Sequence, residues 1–89
     1  MMIVRVMEEG QYRLDDAHAA EFERLDGDLL SSVNRKDQLG FTISLSRLLQ
    51  FVRTQGQRVP NIEIVPSDMI IPAEDMTLAD AQQFLEPQK

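Results

Sequence analysis

The 89-residue sequence contains no cysteine and no tryptophan, and it has only four glycines and four prolines. Without cysteine there is no disulfide, thiolate metal site or cysteine nucleophile, so a fold this small must depend on packing or on association. No apolar run approaches the roughly 18 residues that span a membrane. The apolar run at residues 1–7 is short and contains an arginine, which argues against a secretory signal peptide. We therefore expect a cytoplasmic protein in a reducing compartment.

Basic residues are also scarce, with nine against 15 acidic ones and a net charge of −6. This balance predicts no nucleic-acid binding, because such binding depends on lysines and arginines that neutralise phosphates. The charges are segregated: residues 8–28 hold eight acids and two arginines, whereas residues 35–58 hold five basic residues and one aspartate. Neighbouring elements are expected to complement each other in surface charge. A hydrophobic fraction of 43% is enough for one core, so residues 1–89 are expected to form one domain.

No motif in the sequence indicates catalysis. The single histidine, His18, lies near Asp15 and Asp16, but a metal site needs three or four converging ligands. The run at 26–28 lacks the alternating oxygen ligands and distal glutamate of a calcium loop. There is no glycine-rich phosphate loop and no nucleophile elbow. We expect no enzyme activity, no cofactor and no metal.

The N-terminal residues predict a β-hairpin. Residues 1–7 and 11–14 are rich in β-branched and apolar side chains, and the glutamates and glycine of 8–10 suit a three-residue loop with Gly10 in the left-handed conformation. A two-residue loop would mix the faces, so the side-chain alternation selects the three-residue loop. The resulting register pairs Val6 with Tyr12 and Val4 with Leu14, all on one face.

The same register sets Arg5 directly opposite Arg13 on the other face of the hairpin. Like charges across a strand pair are destabilising, so an acidic group is expected beside them. It can come from this chain, for example from Glu63 or Asp15. Alternatively, an acidic partner or a second copy of the protein covers this face. The remaining residues of the face are Ile3 and Met7.

Two amphipathic helices are predicted next, joined by a short connection that makes them antiparallel neighbours. The first is expected over residues 16–35, capped by Asp15 or Asp16. The second is expected to begin after a cap at Asp37 and to end at a left-handed Gly56. The two apolar stripes are Phe22, Leu25, Leu29 and Val33, and Phe41, Leu45, Leu48, Leu49 and Val52.

Three helical residues do not fit these stripes simply. Ile43 and Phe51 lie outside the stripe of the second helix, where they either form a contact site for a partner or complete the core from another side. Asp26 falls inside the apolar arc of the first helix. We expect a basic side chain or several N–H groups to form hydrogen bonds with its carboxylate. The alternative is that this turn of the helix is exposed to solvent.

The C-terminal third predicts two short extended pieces and a helix. Residues 61–65 alternate like an edge strand between two prolines, and residues 69–71 form a further extended piece. Thr77 with Asp80 three residues later resembles a capping box for a last helix through residues 78–85. The fold class predicted is α+β, with an N-terminal β-hairpin and one or two further short strands packed on an antiparallel helical hairpin, followed by a short C-terminal helix.

Residues along nearly the whole chain resemble the PspA-associated proteins of the PspAA family. The similarity begins at residues 2–7 and 9–12, and it continues through residues 65–68 and 71–72 to Thr77. The other matching framework positions are Leu25, Asp26, Leu29, Phe41, Leu45, Leu48, Leu49 and Leu78.

The resemblance implies a small cytoplasmic adaptor of PspA, the coiled-coil, membrane-remodelling protein of the envelope-stress response. It places the protein at the inner membrane surface through that partner, without direct membrane insertion. A homodimer is equally compatible with so small a core. The alternative interpretation is an acidic inhibitor or antitoxin-like protein that masks a basic protein partner by charge complementarity.

Overall fold

The computed structural model describes residues 1–63 and 65–85, with side chains up to residue 83. In this part of the chain, four short strands form one mixed sheet in the order β3-β2-β1-β4, in which β1 pairs antiparallel with β2 and parallel with β4. The helices α1 and α2 are adjacent, and their apolar stripes meet one face of the sheet in a common core. The elements are β1 (Met2–Val6), β2 (Gly10–Leu14), a 3-10 turn (Asp16–His18), α1 (Ala19–Asn34), α2 (Gln38–Gln55), β3 (Gln57–Arg58), β4 (Met69–Ile71) and α3 (Leu78–Leu85).

The predicted α+β architecture is confirmed, and so are the residues that build its core. Every residue of the two predicted helical stripes is buried. The stripes are buried because each helix repeats its apolar residues at the 3.6-residue period and therefore has a continuous face to cover. On the sheet, the residues facing the helices are Val4, Val6, Tyr12, Leu14 and Ile71.

The predicted hairpin register is wrong by two residues, although the predicted face is right. Val4 pairs with Tyr12, and Val6 pairs with Gly10. The loop is residues 7–9, with Glu8 in the left-handed conformation at φ 69°. A shift of two residues leaves every side chain on its original face, so face alternation alone does not distinguish the two registers.

The chain between β3 and β4 connects the two edges of the sheet. Its described residues, 59–63 and 65–68, are called the crossing segment. Contacts with Gln11 and Arg13 place it on the sheet face opposite the helices. The Gln11 side-chain amide donates hydrogen bonds to the Val65 carbonyl at 2.9 Å and to Ser67 Oγ at 2.8 Å. The strand predicted at 61–65 is therefore wrong for residues 61–63 and Val65, while Ile64 lies outside the described residues. The strand forms earlier, at β3, where residues 57–58 pair with β2.

The helix ends match the predictions only in part. The Asp37 carboxylate accepts a hydrogen bond from the Gly40 amide at 3.0 Å, which confirms the cap of α2. Asp15 precedes the 3-10 turn without a side-chain cap, and Asp16 instead pairs with the N-terminal amine. Gly56 ends α2 in an extended conformation, with φ −89° and ψ 164°, so the predicted left-handed end is wrong. Glycine is required there by close approach, since a Cβ would lie 2.6 Å from the Val52 carbonyl oxygen.

The last helix begins as predicted. The Asp80 amide donates a hydrogen bond to Thr77 Oγ1 at 3.2 Å, and Leu78 and Ala81 are buried against the common core. The Leu78 amide also donates to the side chain of Gln38 at 3.3 Å, which ties the start of α3 to the start of α2. The predicted apolar side chains at 84 and 85 lie outside the described side chains.

Candidate functional site

The outer face of the sheet, one of the predicted contact surfaces, is largely covered by the protein's own chain. Ile3 is only 8% exposed. Its amide donates to the Asp68 carboxylate at 2.8 Å, and its carbonyl accepts from the Asp68 amide at 2.8 Å. The crossing segment thus occupies the position that we considered for a partner, and Ile3 is not available as a contact residue.

The predicted opposition of two arginines on this face is wrong. Arg5 lies opposite Gln11, and Arg13 lies opposite Ile3, although both arginines share the face. Arg13 forms an ion pair with Glu63 of the crossing segment. This is the internal acidic partner that the sequence suggested, so Arg13 needs no second molecule. Arg5 is exposed.

The hairpin loop is fastened to the C-terminal end of α2 by a network of charged groups. The Arg53 guanidinium donates two hydrogen bonds to the Glu9 carboxylate, from Nε at 3.0 Å and from Nη2 at 2.6 Å. The same Nη2 lies 3.4 Å from the Glu74 carboxylate. The Tyr12 hydroxyl donates to Glu9 as well, and Arg58 donates to the Glu9 carbonyl at 2.6 Å. Met7 continues the same loop, and its amide donates to the Ile71 carbonyl.

The contacts in this network shift the pKa values of Glu9 and Tyr12 in opposite directions. The hydrogen bond from Arg53 lowers the pKa of Glu9 to about 2, with a further contribution from Tyr12. Burial, followed by the hydrogen bond to Glu9, raises the pKa of Tyr12. Glu9 is therefore ionised throughout the physiological range, and the arrangement is a structural clamp between the hairpin and α2.

Acidification should weaken this clamp. A carboxylate whose pKa is lower in the folded state contributes stability above its unfolded pKa of about 4.5, and loses that contribution as the pH falls through about 2. Urea unfolding of the native protein between pH 6 and pH 2 should show this loss, and Glu9→Gln should remove the part of it that Glu9 contributes. The matched control is Glu21→Gln, because Glu21 pairs with Arg24 on an exposed surface. Equal pH profiles for the native and Glu9→Gln proteins would contradict the clamp.

The outward face of α2 carries the predicted Ile43 and one residue that the sequence analysis missed. Ile43 is 43% exposed, and Leu39, one helical turn earlier, is 71% exposed. The signal for Leu39 was its spacing of four residues from Ile43, which places the two side chains on one face. Together they form an exposed apolar pair on the longest helix.

Phe51, the other predicted α2 contact, lies elsewhere. It is partly buried and packs against the core cluster. Its ring meets His18 edge to face, with centroids 5.8 Å apart and an interplanar angle of 82°. Eight residues separate Phe51 from Ile43, which turns the two side chains about 80° apart on an ideal helix. The structure therefore places them on different surfaces.

Asp26 is partly buried on α1, and burial raises its pKa. Among residues 1–63 and 65–85, no hydrogen-bond or ion-pair partner of its carboxylate is found, so the expected satisfying group is not seen in that part of the chain. No described side-chain oxygen is buried without a hydrogen-bond partner, so the Asp26 carboxylate remains in contact with solvent, which agrees with the alternative expectation. Its partial burial therefore lowers the stability of the fold only slightly.

Asp26→Asn should therefore raise the free energy of unfolding at pH 7 only slightly, by up to about 0.5 kcal/mol, because solvent still screens the half-exposed carboxylate. Because the folded pKa is raised, the burial penalty exists above that pKa and disappears as the pH falls through it. The gain should accordingly shrink in acid. Urea titrations at pH 7 and pH 4 measure both effects, with the exposed Asp28→Asn as control. A loss of stability in Asp26→Asn at pH 7 would reveal a partner for the carboxylate.

The described part of the chain contains no group of three or more histidine, aspartate or glutamate side chains arranged to hold a metal ion. None of its helices is both long enough and apolar enough to cross a membrane. The features that stand out are hence surfaces: the clamp at the hairpin loop and the exposed apolar pair on α2.

Comparison with known protein families supports the resemblance seen in the sequence. Residues 2–89 match PspAA, described as PspA-associated protein. No curated protein and no solved structure matches the chain. Since the family match spans all but the first residue, this protein belongs to the PspAA family of PspA-associated proteins.

Proposed function

We propose that this protein is a non-enzymatic adaptor that binds PspA in the envelope-stress response. The observation that carries the proposal is the family match over residues 2–89, whose description names the association with PspA. The adaptor acts in the cytoplasm and reaches the inner membrane surface through its coiled-coil partner. A homodimer of the adaptor is compatible with this role.

The surface chemistry supports a binding role. Leu39 and Ile43 are large apolar side chains exposed on a well-packed helix, where they contribute nothing to the protein's own core. Exposed apolar side chains beside polar and charged ones are the usual composition of a protein-contact surface. The clamp of Glu9 with Arg53 ties α2 to the hairpin, so that the helix presents this surface from a fixed position.

Calorimetric titration of the native protein into purified PspA tests the proposal. Heat of binding is expected at low and at moderate salt, with the tighter complex at low salt because part of the contact is electrostatic. Sedimentation of the adaptor alone gives its association state, and sedimentation of the mixture gives the stoichiometry. Absence of heat and of co-sedimentation in both salts would contradict the proposed function.

A second candidate function, masking of a basic protein partner, is favoured by one acidic surface. Glu8, Asp75 and Asp80 line a groove of about 290 Å³ together with apolar side chains. Acidic groups around an apolar groove suit a basic, amphipathic partner. The substitution Asp75→Lys distinguishes the two functions, because it should abolish binding to a basic partner and leave PspA binding intact if PspA contacts α2.

A further inference from the structure

The outward face of α2 has the spacing of a coiled-coil seam. Leu39, Ile43, Ser46 and Gln50 follow one another at intervals of four, three and four residues, and all four are exposed. This alternation is that of the a and d positions through which one helix packs against another. In the same register Arg47 occupies an e position, beside the seam. The core stripe of α2 lies on the opposite side of the helix, so the seam is a second face.

The charge of this face is unusual for an acidic protein. The chain has 15 acidic residues, but none lies between Gln38 and Gln55. Arg53 is engaged by the clamp, whereas Arg47 and Lys36 are exposed and form no ion pair with a described residue. The part of the surface formed by Leu39, Ile43 and Arg47 is therefore apolar and basic, and it is complementary to an acidic amphipathic helix. Glu74 lies beside Ser46 and Gln50 at the other end of the seam.

We infer that an acidic amphipathic helix of PspA docks along residues 39–50 of α2 and forms a short two-helix coiled coil. Leu39 and Ile43 are buried in the apolar seam, and Arg47 pairs with a carboxylate of the partner helix. A contact of this length runs about 18 Å, or roughly three turns. The inference rests on the proposed function, and it specifies which surface of each protein is used.

A second copy of this protein is a poorer occupant of the seam. Packing α2 against α2 brings together two faces that each carry Arg47 and no acid of their own helix, so like charges meet beside the seam. The acid nearest the seam, Glu74, is already engaged by Arg53. The outer face of the sheet is also less suitable, because the crossing segment already covers it and pairs with Arg13. The charge pattern thus favours a partner helix of opposite sign.

Single substitutions in the seam provide the first arm of the test. Leu39→Glu and Ile43→Glu should each weaken binding to PspA at least about tenfold, because each buries an unpaired carboxylate at the seam. The matched control is Ile70→Glu on β4, since Ile70 is 48% exposed, close to the value for Ile43. That control should change the affinity by less than about twofold. Circular-dichroism melts establish that all three variants are folded.

Charge reversal provides the second arm. Arg47→Glu should weaken binding several-fold and reduce the salt dependence of the affinity, because it removes one ion pair from the interface. The exposed Arg5→Glu on the sheet is the matched control and should behave as the native protein. Loss of binding in Arg5→Glu, with Arg47→Glu unaffected, would overturn the assignment of the surface.

The outcomes separate the inference from the function on which it rests. Native protein that gives no heat with PspA overturns the proposed function. Native protein that binds PspA, with Leu39→Glu and Ile43→Glu binding equally well, overturns the seam and leaves the function in place. A native homodimer that Ile43→Glu dissociates would show that the occupant is a second copy rather than an acidic helix.

Discussion

The Phe41→Ala protein should unfold with a free energy about 3–5 kcal/mol below that of the native protein. Phe41 lies in the first turns of α2, and none of its surface is exposed. It belongs to the one core cluster that the helices share with the sheet. Truncation leaves a cavity in a core that is small to begin with, so the loss is a large part of the total stability of a chain of this size.

Phe51→Ala is the internal comparison for this prediction. It removes the same side chain from the same helix, but Phe51 is only partly buried and meets the core at its edge. Phe51→Ala should lower the free energy of unfolding by about half as much as Phe41→Ala, or less. Urea denaturation followed by circular dichroism measures both. A larger loss for Phe51→Ala than for Phe41→Ala would mean that the core is centred elsewhere than described.

Gln11→Leu should destabilise the protein by about 1–3 kcal/mol, since the Val65 carbonyl and the Ser67 hydroxyl each lose a hydrogen-bond donor. Gln11 is nearly buried, and leucine has a similar volume, so the effect comes mainly from the lost bonds. The crossing segment should also loosen. Its Asp68 amide, bonded to the Ile3 carbonyl, should then exchange its hydrogen faster.

The control for Gln11→Leu is Gln55→Leu at the end of α2, where the side chain is exposed. Its stability should remain within about 0.5 kcal/mol of the native value. If Gln11→Leu is as stable as the native protein and the Asp68 amide is equally protected, then the crossing segment is not held to the sheet by this side chain.

The helices were predictable because their signals are local and periodic. The apolar stripe of α2 has five members at helical spacing, and Asp37 precedes it at the position of an N-cap. Both the buried face and the beginning of the helix therefore follow from the sequence. The end at Gly56 was placed correctly, but its conformation was not. A left-handed end is the common reason for a glycine there, whereas the reason here is the approach of the Val52 carbonyl.

The sheet was less predictable because pairing is non-local. The hairpin register depends on the loop conformation and on the bonding of Met7 to Ile71 of β4, a contact 64 residues away that no local pattern reveals. The segment 61–65 alternates like a strand, yet the residues described there lie across the sheet. The two prolines that bound it remove backbone donors, and Gln11 and Arg13 hold it from the outer face instead.

The predictions for the candidate contact residues succeeded on the helix and failed on the sheet for the same reason. Ile43 was correctly placed outside the core stripe, since helical periodicity defines which side a residue occupies. Ile3 was assigned to an open face because the alternation of a strand says which face a residue joins, but not what covers that face. Leu39 was missed because the sequence analysis did not consider it, although it lies one helical turn before Ile43.

The most direct test of the central claim is a titration of isoleucine-methyl-labelled protein with unlabelled PspA, followed by NMR. Ile43 reports on the outward face of α2, Ile70 on β4 and Ile71 on the core, so one spectrum observes three surroundings. The account predicts that the Ile43 signal shifts or loses intensity at the first additions of PspA, before Ile70 and Ile71 change. Signals that remain unchanged throughout, or a change at Ile70 with Ile43 unperturbed, would contradict it.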